Sequence, residues 1–148
     1  MLTTFVEVYE RLLTNIISKL DNGGNWIVNH EDKDLHWLPN NENNLGHLRA
    51  FFKDSDVPGS FKGALVISKS NLLGLVHDLL LYPHVVFNKE GFLYKDLNIS
   101  HGEIKFIIKI SGHLNVDFLS TDLAILSGIV ADNSADTFVV KAYRGTLL

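Results

Sequence analysis

A two-residue alternation of apolar and polar side chains runs between positions 103 and 119. Apolar residues occupy the even positions, whereas the odd positions are mostly polar or charged. Because successive side chains of a strand point to opposite faces of its sheet, this rhythm predicts antiparallel strands with one buried face and one wet face. The even-numbered apolar residues are Ile104, Phe106, Ile108, Ile110, Leu114, Val116 and Phe118.

Gly112 lies within this alternation, and the sequence leaves two geometries open. The segment is either one long strand bent at the glycine or a hairpin whose three-residue loop sets Ile110 opposite Leu114. A two-residue turn is disfavoured, because directly paired residues share a face and this turn would pair an apolar residue with His113. By the same alternation, His101 and His113 are expected on the wet face.

Apolar side chains at three- and four-residue spacing predict a long amphipathic helix at the start of the chain. The turn residues from Asp21 to Gly24 supply its stop. A helix of about 17 residues is about 25 Å long, which is enough to cover one face of a small sheet. Its apolar stripe consists of Phe5, Val8, Tyr9, Leu12, Leu13, Ile16, Ile17 and Leu20.

Shorter patterns predict the remaining elements. Residues 120–132 fit either a short helix or a buried strand. Residues 30–44 are polar and are predicted to form a long surface loop. The other predicted elements are a short helix capped by Asn44, a strand over 61–68, a mostly buried helix over Asn71–Tyr82 that ends at Pro83, a hairpin over 85–94 and a closing strand over 137–143.

Together these elements predict one α+β domain over residues 1–148. The expected architecture is a long N-terminal amphipathic helix and one or two further helices packed on a curved, mainly antiparallel sheet. The length of 148 residues and the hydrophobic content of 46% suit a single hydrophobic core.

The absence of cysteine excludes disulfides, thiolate nucleophiles and cysteine-based zinc sites, and it favours the cytoplasm. The first twenty residues lack the basic region and the continuous apolar run of a signal peptide. No apolar stretch approaches the ~20 residues that span a bilayer. We therefore expect a soluble, cytoplasmic protein with no membrane partner.

The charge balance is acidic, with 13 Lys and Arg residues against 17 Asp and Glu residues and a net charge of −4. This balance offers no basic surface to a nucleic acid, so we do not expect one as a partner. The sequence contains no dinucleotide-binding, phosphate-loop, zinc-protease or nucleophile-elbow motif. We accordingly expect no cofactor and no metal site.

Three residues are candidates for catalysis. His77 and Asp78 lie within the apolar helix over 71–82, and His84 follows Pro83. A buried imidazole beside a carboxylate is one way to build a general base. The competing interpretation is a position at the helix edge or in the core, because the sequence identifies no nucleophile or oxyanion donor near them.

Two sets of residues are candidates for contact with a partner. Acid-rich loops suit a basic partner surface, and apolar residues in the otherwise polar row of the sheet would be exposed unless something covers them. The acidic candidates are Glu31, Asp32, Asp34, Asp54 and Asp56, and the apolar candidates are Ile107 and Leu119.

The favoured function is a small cytoplasmic, non-enzymatic protein-binding module, such as a regulator, an inhibitor or an immunity-type protein. The alternative is a small-molecule-binding protein or a small enzyme with an apolar pocket between the first helix and the curved sheet. A third hypothesis is a homo-oligomer formed through the wet face of the sheet.

Overall fold

A computed structural model describes residues 1–20, 23–32, 34–39, 44–86 and 96–133. Within these residues the chain forms helices and an antiparallel sheet that share one apolar core, as expected for an α+β fold. The hairpin predicted over 85–94 falls mostly outside the described residues, and the strand predicted over 137–143 falls entirely outside them. The helices are α1 (Leu2–Leu20), α2 (Gly46–Asp54), α3 (Lys69–Val85) and α4 (Leu123–Asn133).

The described strands form one open sheet in the order β2-β1-β3-β4-β5, and every neighbouring pair is antiparallel. The first two strands along the chain therefore pair with each other, while β3 pairs with β1 and begins a meander through β4 and β5. The strands are β1 (Trp26–His30), β2 (Leu65–Ile67), β3 (Leu97–His101), β4 (Ile107–Ile110) and β5 (Val116–Leu119).

One face of the sheet carries the apolar core. The register sets Val28 opposite Leu65 on one side and opposite Ile99 on the other. Ile99 in turn faces Ile108, which faces Phe118. Because directly paired residues share a face, a single apolar layer crosses all five strands. This layer confirms the predicted buried face of the sheet.

The helices form a second layer against this face. Helix α3 contacts β3 and also contacts both α1 and α2. Helix α3 is apolar almost all round because it lies between other elements, in agreement with its predicted burial. Its N-cap is Ser68, whose hydroxyl oxygen accepts a hydrogen bond from the Asn71 N–H at 3.2 Å.

The predicted end of this helix at Pro83 is wrong, since α3 continues to Val85. Proline lacks the N–H that would bond to the carbonyl four residues earlier, and its ring crowds that carbonyl, so a proline inside a helix usually kinks or ends it. Pro83 lies in the last turn and is buried, so the packing of this turn retains the helical conformation.

The segment between β4 and β5 is a hairpin, but its predicted loop is wrong. The loop contains five residues rather than three, and Ile110 lies opposite Val116. The Ser111 N–H closes the loop by donating to the Asn115 carbonyl at 3.0 Å, and Leu114 adopts a φ of 60° inside it. The even-numbered residues of both strands still share the buried face, because a loop of three residues and a loop of five residues both pair even positions with even positions.

The region after β5 is helical, which resolves the choice left open for residues 120–132. An Asp122 carboxylate oxygen accepts a hydrogen bond from the Ala124 N–H at 3.0 Å and caps the first turn of α4.

His101 is buried, so its predicted position on the wet face is wrong. In β3 the odd residues face the helices, and the bend over 102–106 shifts the alternation before β4 begins. The His101 Nδ1 accepts hydrogen bonds from the Glu103 and Ile104 N–H groups at 3.0 and 3.1 Å, and its ring packs edge-on against Trp26 at 5.0 Å. These contacts fix the imidazole against the backbone near Gly24.

We expect Gly24→Ala to destabilise the fold by about 1–3 kcal/mol, because the new Cβ would lie 2.6 Å from the His101 Cε1 and the ring cannot move without losing its hydrogen bonds. The control is Gly74→Ala in α3, where nothing lies within 4 Å of the added Cβ. A helical alanine there should stabilise the protein by about 0.5–1 kcal/mol. Urea unfolding measures both changes, and equal midpoints for Gly24→Ala and the wild type would contradict the steric argument.

Candidate functional site

The three catalytic candidates are not brought together. The His77 Nδ1 lies 3.1 Å from the Glu10 Oε2 on α1, whereas Asp78 points towards α2. The His84 ring packs edge-on against Phe5 at a centroid distance of 5.6 Å. Burial, and secondarily the charge of His113, lower the pKa of His84. Each candidate therefore has its own neighbours, and a catalytic role for them stays a prediction.

Asp78 has a structural contact that explains its burial at 2% exposure. Helix α2 begins after Leu45, which has no polar side chain to cap it, so the predicted cap at Asn44 is wrong. Instead the Asp78 Oδ2 accepts a hydrogen bond from the Leu48 N–H at 2.8 Å. A carboxylate at a helix N-terminus satisfies a free N–H and interacts favourably with the helix dipole. Asp78 thus joins α3 to α2.

The loop after β1 is less exposed than predicted. His30 is the last residue of β1 and is buried, and Leu35 and Trp37 are buried as well. The His30 ring lies 4.9 Å from the Trp37 ring and 6.0 Å from the Tyr82 ring. The Tyr82 hydroxyl donates a hydrogen bond to the Trp37 carbonyl at 2.7 Å, which holds the loop against α3.

This aromatic cluster favours a neutral His30. Burial lowers the pKa of His30, and the nearby charge and backbone of Asp32 oppose that change only in part. Burial also raises the pKa of Tyr82, and the charge of Asp32 adds to the rise. The cluster therefore contributes packing rather than charge to the core.

The acidic candidates for partner contact lie on two separate elements. Glu31 and Asp32 follow β1 and are half-buried, and Asp34 is exposed beyond them. Asp54 and Asp56 are exposed at the end of α2, in the helical layer. The loop after β1 reaches the segment that follows Asp56, since the Leu38 N–H donates to the Gly59 carbonyl at 3.3 Å. A role of these five residues in partner contact stays a prediction.

Ile107 and Leu119 lie directly opposite each other on neighbouring strands, on the face of the sheet away from the helices. Ile107 also pairs with Ser100, which pairs with Ile27, and Ile27 pairs with Val66. We call this set the apolar row; it crosses all five strands. Val66 is 64% exposed and Ile107 is 40% exposed. The apolar row consists of Val66, Ile27, Ser100, Ile107 and Leu119.

Charged groups flank the apolar row at one end of the strands. Lys109 lies 3.5 Å from a Glu31 carboxylate oxygen and 4.0 Å from one of Asp96, and it pairs across the strands with Asp117. The Asn98 side-chain amide donates to Glu31 at 2.8 Å. We call Glu31, Asp96, Lys109 and Asp117 the acidic flank. Two carboxylates therefore lie within 4.0 Å of the Lys109 ammonium group, and Asp117 follows on the neighbouring strand.

The pKa of Asp96 reflects this crowding. Burial raises this pKa most. The positive charges of Lys109 and, more weakly, His113 oppose the rise, whereas the negative charges of Glu31 and Asp117 add to it.

Helix α4 is a second apolar surface. It contains no buried residue, and Leu123 and Val130 are 76% and 41% exposed. It meets α1 through an ion pair between Lys19 and Asp132 at 3.2 Å, and a cleft of about 280 Å³ lies between the two helices. Residues 134–148, which follow α4, lie outside the described residues.

Sequence reasoning found two members of the apolar row and missed Val66, Ile27 and Ser100. Its period-two signal covered only the segment over 103–119. The other three residues belong to strands that are short or far away in sequence, and they join the row only through the strand order. Finding them would have required the pairing of β1 with β2 and β3, which the sequence pattern does not give.

No group of three or more potential metal ligands occurs among the residues that the structure describes. In the same ranges, no helix is long and apolar enough to cross a membrane. Comparisons with protein-family models, curated proteins and solved structures found no match for this chain.

Replacement of Asp78 tests its structural role. We expect Asp78→Ala to lower the free energy of unfolding by about 2 kcal/mol, because the Leu48 N–H would lose its buried partner. Asp78→Asn, which retains an acceptor oxygen, should cost less. His47 is largely exposed and 3.7 Å from Asp78, so His47→Ala should change stability by less than about 0.5 kcal/mol. Urea unfolding that ranked Asp78→Ala with His47→Ala would contradict this role.

The lowered pKa of His30 predicts a loss of stability in mild acid. In the unfolded chain His30 binds a proton below about pH 6.5, whereas in the folded chain its burial opposes protonation. The free energy of unfolding is therefore highest above pH 6.5 and decreases as the pH falls below it. For one histidine the slope reaches at most about 1.4 kcal/mol per pH unit. We expect His30→Gln to flatten the dependence of unfolding free energy on pH between about 6.5 and 5. His36→Gln, at an exposed position, is the matched control, and an unchanged slope in His30→Gln would refute the prediction.

Proposed function

We propose that this chain is a non-enzymatic protein-binding module whose binding surface is the face of the sheet opposite the helices. The observation that carries the proposal is the apolar row, which runs across all five strands with Val66 and Ile107 well exposed. Single exposed apolar residues are normal on protein surfaces, whereas a contiguous set beside polar residues is typical of an interaction site.

The composition of this face also suits a protein partner. An apolar centre bordered by polar and charged groups is the usual arrangement of a protein interface. Charged groups at the border increase association rate and select the partner, while the apolar centre supplies most of the affinity. The module would act as a regulator, an inhibitor or an immunity-type protein in the cytoplasm.

The alternative of an apolar pocket between α1 and the sheet has less support. Within the described residues, fully buried side chains fill the core between the helices and the sheet, among them Leu13, Ile17 and Ile110. The histidine and aspartate residues considered for proton transfer point to separate neighbours. Partner binding at the sheet face is therefore the better-supported function.

Site-specific photo-crosslinking in the native host tests this proposal. We expect a photoreactive amino acid at position 107 or position 66 to yield one discrete crosslinked protein. The control carries the same group at Asn71, an exposed position on α3. Each variant is first checked for a wild-type unfolding midpoint.

Crosslinks at positions 66 and 107 that are no stronger or more discrete than those at position 71 would overturn the proposal. A crosslinked product with the mass of two copies of this chain would identify the partner as a second copy, as in the homo-oligomer hypothesis. That result would keep the sheet face as the binding surface, with a second copy of this chain as the partner in place of a different protein.

A further inference from the structure

No further inference is drawn: the strongest candidate, the exposed apolar side of α4 with its cleft of about 280 Å³ against α1, carries nothing because no described residue shows what covers it.

Discussion

The antiparallel register between β1 and β3 is the constraint on which both faces of the sheet depend. It sets Trp26 opposite His101 and His30 opposite Leu97, so the large side chains of both strands point towards the helices. A shift of one residue would turn all of them to the other face and expose the core. Because β3 also pairs with β4, the same register fixes Ile107 on the outward face.

The helical layer depends on this arrangement and contributes polar contacts of its own. Helix α3 lies at the centre of the layer, so most of its surface is apolar and gives little directional information. Three polar side chains of α3 nevertheless reach neighbouring elements: His77 contacts Glu10 on α1, the Tyr82 hydroxyl donates to the Trp37 carbonyl, and the Asp78 carboxylate accepts a hydrogen bond from the start of α2. Apolar packing holds the layers together, and the Asp78 carboxylate satisfies a backbone N–H in the first turn of α2.

Local patterns in the sequence predicted the helices and strands better than they predicted which elements contact one another. Helix α1 and the alternation near β4 were predictable, because a stripe or a two-residue rhythm reflects one element against one environment. The end of α3 was not, since burial of Pro83 depends on neighbours. The cap of α2 was also beyond reach, because Asp78 is 30 residues from Leu48.

The candidate site shows the same limit. Ile107 and Leu119 were found because they interrupt a polar row within one segment. Ile27 and Val66 come from strands far away in sequence and become their neighbours only through the strand order. His101 was misassigned because the bend after β3 shifts the alternation, and nothing in the local rhythm records that shift.

The short edge strands have a consequence for a protein that exposes apolar side chains. Strand β2 has three residues and β5 has four, so an approaching chain would gain few backbone hydrogen bonds at either edge. The exposed carboxylate of Asp117 on β5 further discourages edge-to-edge stacking into fibrils. Among the described strands, the edges therefore offer little template for self-propagating assembly, whereas the apolar row lies on a face of the sheet.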